Sequence, residues 1–173
     1  MEIRILNKVE QESIYTDAYA MLEAADDAFV PPLSARSSST QTDLKTAEKN
    51  DSIALYFEQL KKQRFAAAYE GGKLIAFVSY KENFFSEHIA TEYAPNIYIS
   101  TLVVTPEARG KGVTKALYSK LFSEYKDSYI FTRTWSTNFA HIKILGGFGF
   151  EIIKTLPNDR GDGIDTVYFK KSL

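Results

Sequence analysis

Two glycines and three basic side chains lie within TPEARGKGVTKAL, residues 105–117, directly ahead of a helical apolar pattern. The preceding segment IYISTLVV, residues 97–104, has the composition of a buried strand. A strand, a glycine-bearing turn and a helix together form an anion site, because the free N–H groups at the start of the helix point at the ligand and the helix dipole favours negative charge. The turn therefore predicts a bound phosphate group.

Two common phosphate motifs do not fit this turn. A Walker A loop requires G-x-x-x-x-G-K-[ST], but Lys111 lies between Gly110 and Gly112 and no glycine stands at the required earlier position. A dinucleotide fingerprint requires G-x-G-x-x-G, but Lys115 stands where the third glycine belongs. Both motifs are excluded by the spacing.

A third phosphate motif does fit. The turn resembles motif A of the GNAT family of N-acetyltransferases, whose core is [Q/R]-x-x-G-x-[G/A]. Arg109, Gly112 and Thr114 stand at the three core positions, with Thr114 in place of the usual glycine or alanine. Leu102, Val104 and Pro106 precede them in the L-x-V-x-P spacing that leads into the motif.

A second segment, STNFAHIKILGGFGFEII (136–153), resembles the helix and strand that follow in the same family, N-x-x-A-x-x-x-Y-x-x-x-G-F. Asn138, Gly149 and Phe150 stand at matching positions. The glycine would end the helix in the left-handed conformation. The resemblance covers roughly residues 65–171, and more loosely the N-terminal helices.

The resemblance implies acetyl-CoA as the co-substrate, with its pyrophosphate against the backbone N–H groups of residues 110–115. Glycine at positions 110 and 112 lets the backbone approach phosphate oxygens without a Cβ in the way. Three basic side chains, Arg109, Lys111 and Lys115, add positive charge there. The residues expected to bind the coenzyme are Leu102, Val103, Val104, Arg109, Gly110, Lys111, Gly112, Val113, Thr114, Lys115 and Asn138.

The chain departs from the family at the residue that many members use to protonate the departing thiolate. Leu145 stands where those members carry a tyrosine, and His141 stands where they carry alanine. A histidine can act as acid or base near neutral pH. His141 is therefore a candidate proton donor, and packing or capping on the helix surface is the plainer alternative.

The base that deprotonates the acceptor is also not evident. Ser100 and Thr101 occupy strand positions where carboxylates are often found in the family. Water could mediate the proton transfer, or one of four side chains could accept the proton: Glu82, Glu87, Glu92 or Tyr98. For the glutamates, simple solvation in a loop is the ordinary alternative.

The remaining patterns predict the elements that hold this site. Helices are expected at about 11–29, 44–63, 112–125 and 138–147, and strands at 2–6, 97–104, 128–135, 148–156 and 165–171. Residues 64–82 predict a hairpin around Gly71-Gly72. Together with the resemblance, they imply one α/β (α+β) domain over 1–173. It has a mixed, twisted sheet of about six or seven strands, and helices on both faces. Strands 97–104 and 128–135 should be parallel and splayed, with residues 11–63 as an acceptor-side arm.

The composition narrows the function classes. The chain has 173 residues, no cysteine, two histidines and a formal charge of −1, which argue against disulfides, thiolate catalysis, a histidine-rich metal site and a general nucleic-acid surface. No stretch approaches ~18 apolar residues, so no membrane insertion is predicted, and a cytoplasmic location is expected. A homodimer is compatible with this composition.

The function implied is acetyl-CoA-dependent acetylation of a primary amine on a small molecule, peptide or protein. The alternative is a non-catalytic coenzyme A-binding regulatory module of the same fold. Leu145 and the missing strand carboxylates favour the second function.

Overall fold

The computed structural model describes all 173 residues. Its strands are β1 (Glu2–Ile5), β2 (Arg64–Glu70), β3 (Lys73–Glu82), β4 (Asn96–Val104), β5 (Tyr129–Trp135), β6 (Glu151–Leu156) and β7 (Thr166–Ser172). Its α-helices are α1 (Lys8–Ser13), α2 (Tyr15–Ala24), α3 (Ala54–Leu60), α4 (Val113–Glu124) and α5 (Phe139–Gly147). Short 3-10 turns lie at Asp26–Ala28, Leu33–Ala35, Leu44–Thr46, Thr91–Tyr93 and Pro106–Ala108.

The seven strands form one sheet in the order β1-β2-β3-β4-β5-β7-β6. Every neighbouring pair is antiparallel except β4 and β5, which are parallel. Gly71 and Gly72 turn the β2–β3 hairpin with φ of 57° and 78°, the left-handed conformation that a tight hairpin requires. The mixed sheet flanked by helices confirms the predicted fold class.

Strands β4 and β5 pair over only part of their length. The ladder joins Asn96–Ile99 to Tyr129–Thr132 and then stops, although both strands continue. At this point β4 carries a bulge: Ser79 pairs with Thr101 and Tyr80 with Ile99, which leaves Ser100 as the extra residue. A bulge bends its strand and re-aims the side chains beyond it. The two strands therefore separate, as expected, and leave a wedge between residues 100–104 and 133–135.

Apolar side chains bury both faces of the sheet. On one face, α4 packs Val113, Leu117 and Leu121 into the core that also contains Leu145 from α5. On the other face, the N-terminal helices pack apolar side chains against the inward-facing residues of β2 and β3. The wedge between β4 and β5 is thus open between two well-packed layers.

The N-terminal region differs from the predicted helices. Asn7 caps α1 through a reciprocal capping box with Glu10, so helix begins at residue 8 rather than 11, and the region to 29 is two helices followed by a 3-10 turn. The predicted helix over 44–63 is wrong except for α3. Residues 45–51, KTAEKND, offer no apolar side chain larger than alanine to bury, so no helix face forms there.

The β2–β3 hairpin and the regular elements from β4 onward lie within a few residues of their predicted bounds. No helix combines the length and the apolarity that a membrane span requires.

Candidate active site

The wedge between β4 and β5 opens into a cavity of about 290 Å³. Its walls are residues 99–104 of β4 and 132–135 of β5. The first turns of α4 and α5 line it on one side, and the segment 25–39 lines it on the other. The cavity therefore crosses the sheet where the two strands no longer pair.

The glycine turn lies at the α4 side of this cavity. Gly110 and Gly112 have φ of 75° and 76°, and Gly112 is the N-cap of α4 with no side chain bonded to the first amides of the helix. A Cβ built on either glycine would meet no atom within 4 Å. The first amides of α4 therefore have no side-chain partner, and no protein atom crowds the two glycines, as an anion site at this turn requires.

The structure divides the predicted coenzyme-binding residues into three groups. Those that line the cavity are Leu102, Val103, Val104, Arg109, Thr114 and Asn138. Those on the exposed surface of the turn and the first turn of α4 are Gly110, Lys111, Gly112 and Lys115. The Val113 side chain is buried in the core, so this residue can offer only its backbone to a ligand.

Asn138 joins the end of β5 to the start of α5. Its side-chain oxygen accepts a hydrogen bond from the His141 amide at 3.4 Å, and its Nδ2 donates to Thr134 Oγ1 at 3.0 Å. Both bonds hold the first turn of α5 against the cavity wall.

A tyrosine and a histidine contact each other in the cavity. Neither stands at position 145, where many members of the family carry a tyrosine. The Tyr118 hydroxyl, from α4, shares a 2.8 Å hydrogen bond with His141 Nε2, and both residues line the cavity. Burial raises the pKa of Tyr118 well above its usual range, and burial lowers the pKa of His141 to about 4. At neutral pH both groups are therefore uncharged, and the phenol keeps its proton.

Sequence reasoning missed Tyr118. It lies one helical turn after Thr114 and so shares its face, which was the available signal. Leu145, by contrast, is completely buried in the core and does not line the cavity.

The other acid–base candidates lie outside the cavity. Tyr98 is buried in a separate apolar cluster with Ile89 and Phe131, and burial raises its pKa to about 12. The Glu82 carboxylate accepts a hydrogen bond from the Tyr125 hydroxyl at 2.6 Å on another part of the surface. Glu87 and Glu92 are also exposed and away from the cavity. No Asp or Glu lines the cavity.

The hydroxyls of the bulged strand are bonded within the protein. Ser100 Oγ donates to Gln63 Oε1 and lies 2.9 Å from Ser79 Oγ. Thr101 Oγ1 lies 2.6 Å from the Tyr56 hydroxyl. Neither hydroxyl is free to act as a base, since each is held by its partner.

Three arginines form the end of the cavity opposite the glycine turn, and sequence reasoning missed all of them. Arg36 donates from Nε and Nη2 to the Pro31 carbonyl at 2.9 and 2.7 Å. Arg160 donates from Nη1 to the Val30 carbonyl at 2.7 Å and from Nε to Thr166 Oγ1 at 2.9 Å. These two guanidinium groups thus hold adjacent carbonyls of one short segment.

The third arginine comes from β5. Arg133 donates to the Tyr168 hydroxyl at 3.1 Å and to the carbonyls of Ser39 and Gln41 at 3.2 and 2.6 Å. None of the ion pairs in the structure includes Arg36, Arg133 or Arg160. No carboxylate contacts these three guanidinium groups directly, but Asp26 acts on Arg36 from a distance, and Asp159 accepts a hydrogen bond from Thr166 Oγ1, the hydroxyl that also binds Arg160.

The pKa values of the three arginines shift in different directions. Burial alone would lower the pKa of Arg133, but the nearby Tyr98 and Tyr168 outweigh it, so this pKa is raised. Burial, together with repulsion from Arg36 and Arg133, lowers the pKa of Arg160 to about 9. Burial also lowers the pKa of Arg36 to about 10. No local sequence pattern predicts this cluster, because its members come from a loop, a strand and a turn far apart in the chain.

Comparison with known proteins agrees with this geometry. A family model described as "Acetyltransferase (GNAT) family" matches residues 20–150, which include the glycine turn, Asn138 and His141. No curated protein matches the sequence.

Solved structures share the fold across nearly the whole chain. The chain is 20% identical to an N-acetyltransferase from Staphylococcus aureus Mu50, with a TM-score of 0.66 over 99% of this chain and 97% of that one. It is 17% identical to a ribosomal-protein-alanine N-acetyltransferase from Brucella melitensis, with a TM-score of 0.65 over 100% of both. A phosphinothricin acetyltransferase from Sinorhizobium meliloti, in complex with acetyl-CoA, is 18% identical, with a TM-score of 0.64 over 99% and 88%.

Proposed function

The chain belongs to the GNAT family of acetyltransferases, and we propose that it transfers the acetyl group of acetyl-CoA to a primary amine held in the cavity between β4 and β5. The observation that carries this proposal is the cavity itself. It crosses the sheet at the bulge of β4 and has an open anion site at one end and a separate cationic end at the other. This arrangement allows a donor and an acceptor to meet between the two strands.

The residues around the glycine turn fit the coenzyme. The first amides of α4 have no capping side chain, and no protein atom lies within 4 Å of a Cβ built on Gly110 or Gly112. These amides, with Arg109, would hold the pyrophosphate. Residues 102–104 have no strand partner on the side of β5 and offer backbone groups to an extended arm. When bound, acetyl-CoA supplies a thioester whose acetyl group an amine can attack.

Tyr118 and His141 form the proton-donating pair in this proposal. The raised pKa of Tyr118 keeps its hydroxyl protonated, and His141 accepts from it or donates to it according to the tautomer. A phenol that gives its proton to a departing thiolate would be supported by a hydrogen bond from His141 Nε2. The pair would therefore take the role that Leu145, sealed in the core, does not perform.

Positive charge in the cavity replaces a general base. A nearby positive charge disfavours the charged form of an amine, so it lowers the pKa of the bound ammonium group. Four arginines and no carboxylate line the cavity, so an ammonium group loses its proton to water more readily there. Holding the neutral amine beside the thioester then supplies much of the rate by proximity.

Residues 11–63 are the acceptor-side arm in this proposal. The segment 25–39 within it forms the cavity wall on the side away from α4 and α5. Its contacts with Arg133 and Arg160 connect it to both β5 and the β6–β7 turn. Changes in this arm should therefore alter the choice of acceptor more than the affinity for coenzyme A.

The test is to incubate the purified protein with acetyl-CoA and a panel of amines while free thiol is measured. We expect thiol release above the uncatalysed rate with at least one amine, together with coenzyme A binding by calorimetry. Coenzyme A binding without thiol release from any amine would contradict the proposal and support a non-catalytic binding module.

A further inference from the structure

The arginine end of the cavity is built around two aromatic rings. The Arg36 guanidinium carbon lies 5.7 Å from the centre of the Phe29 ring, and that of Arg160 lies 5.8 Å from Trp135. The centres of the two rings are 5.9 Å apart. Arg36 and Arg160 also donate hydrogen bonds to the adjacent carbonyls of Pro31 and Val30, so both cations are held next to this pair of contacting rings.

Both guanidinium groups keep unused donors. A guanidinium has five N–H donors, but Arg36 uses only Nε and Nη2, and Arg160 uses only Nε and Nη1. No fully enclosed side-chain nitrogen in the structure lacks a hydrogen-bond partner. Nη1 of Arg36 and Nη2 of Arg160 are therefore reachable by solvent, and the residues that carry them line the cavity while being 94–95% buried, with relative exposures of 6% and 5%.

Loop anchoring alone does not explain these residues. A neutral donor can hold a backbone carbonyl, whereas removing several like charges from water is costly unless an opposite charge compensates. Asp26 and Asp159 act on these arginines from a distance, but neither forms a direct ion pair with Arg36, Arg133 or Arg160. The unused donors of the two buried guanidinium groups fit a ligand, because guanidinium groups bind planar oxyanions through two parallel hydrogen bonds.

We infer that the acceptor is a small amine that also carries an oxyanion, and that Arg36 and Arg160 bind this oxyanion beside the contacting rings of Phe29 and Trp135. The inference rests on the proposed acetyl transfer, because it assigns this end of the cavity to the acceptor. A carboxylate, a phosphonate and a phosphate share the required chemistry. The cavity of about 290 Å³ must hold the reacting end of the coenzyme as well, so the acceptor is expected to be no larger than an amino acid.

The first test compares matched acceptors with the unaltered protein. The value of kcat/KM is measured for α-amino acids, for the corresponding α-amino amides and for aminophosphonates. We expect ~100-fold preference for the acids or the phosphonates over the amides, because hydrogen bonds to charged groups are among the strongest in proteins. The series with the higher kcat/KM, the amino acids or the aminophosphonates, shows which oxyanion the site prefers. Amides that react within about threefold of the acids would overturn the inference.

A binding measurement separates this inference from the proposed function. Calorimetry with coenzyme A present compares N-acetyl amino acids with their N-acetyl amides, and requires no turnover. If the acids bind more tightly but the amine assay shows no thiol release, the oxyanion site is supported and acetyl transfer is contradicted. If the amine assay shows thiol release but acids and amides bind equally, acetyl transfer is supported and the oxyanion site is contradicted.

Variants locate the site. Arg160→Gln and Arg36→Gln should each lower kcat/KM for the preferred anionic acceptor by ~100-fold, and should leave coenzyme A affinity unchanged. Arg64→Gln is the matched control, because Arg64 is an exposed arginine that pairs with Glu82 on another surface. Equal losses in coenzyme A affinity and in acceptor kcat/KM would overturn the assignment. If either variant does not fold, the comparison of acids with amides on the unaltered protein still decides.

Discussion

Replacing His141 with glutamine should make the free energy of unfolding less sensitive to acid. Burial lowers the pKa of His141 from 6.5 to about 4 in the native protein. Between these values the unfolded chain binds a proton at this residue and the native protein does not. The free energy of unfolding therefore falls as the pH falls, and the loss begins near pH 6.5 and is complete below about pH 4.

The size of this effect follows from the same two pKa values. One pKa unit corresponds to about 1.4 kcal/mol, so the full contribution is about 3 kcal/mol, and about 2 kcal/mol of it is lost by pH 5. Glutamine offers an oxygen that can accept from the Tyr118 hydroxyl and has no proton equilibrium in this range. The variant should thus keep the 2.8 Å contact in kind while losing the pH dependence.

The measurement is urea-induced unfolding of the two proteins from pH 7.5 to pH 4.5. Subtracting the two curves cancels the carboxylates, which both proteins share, and leaves the contribution of His141. His88→Gln serves as the control for loss of an imidazole, since His88 lies outside the cavity. A difference that stays constant within about 0.5 kcal/mol from pH 7 to pH 5 would show that His141 is not held neutral by burial.

Three further substitutions test the site. Tyr118→Phe should lower turnover by ~10²-fold and leave coenzyme A affinity unchanged. Tyr125→Phe is the control, because Tyr125 lies outside the cavity, and it should leave turnover unchanged. Equal turnover in the unaltered protein and both variants would show that Tyr118 is not the proton donor. Gly112→Val should lower coenzyme A affinity at least ~10-fold by calorimetry, and also cost about 1–2 kcal/mol of stability because φ is 76°. Gly72→Val, with φ of 78° on the distant hairpin, should show the stability cost alone, and unchanged affinity in Gly112→Val would contradict the phosphate site. Leu145→Tyr should lower the free energy of unfolding by about 1–3 kcal/mol without a faster reaction, because position 145 is fully buried; a faster, equally stable variant would show that a phenol there reaches the cavity.

The strand, glycine turn and helix beside the cavity could be predicted from the sequence because the information that specifies them is local. Gly110 and Gly112 specify a backbone conformation, and the apolar patterns on either side specify the strand and the helix that hold it. The secondary structure before and after the turn can therefore be predicted from a few neighbouring residues. The splaying of β4 and β5 was expected from the family resemblance, and the bulge at Ser100 shows how the strand achieves it.

The arginine end of the cavity could not be predicted in the same way, because it is assembled from distant parts of the chain. Arg36 stands in a polar loop, Arg133 in a strand and Arg160 in a turn, and each resembles an ordinary surface arginine in its own segment. Only the folded chain brings them together without a carboxylate in direct contact. The error over residues 44–63 has the same origin, since a few apolar residues at helical spacing predict a helix even where the intervening residues bury nothing.

The charges at the arginine end can serve two steps of one reaction. An oxyanion on the acceptor would neutralise part of the field of Arg36 and Arg160, which makes its binding favourable. The remaining positive charge, from Arg133 together with the part of Arg36 and Arg160 that is not neutralised, still acts on the amine of the same molecule and favours its uncharged, nucleophilic form. A carboxylate base in the cavity would work against both steps, because it would pair with the arginines and hold the ammonium group charged. The absence of Asp and Glu from the lining is therefore what this mechanism requires, rather than a sign that the site is inactive.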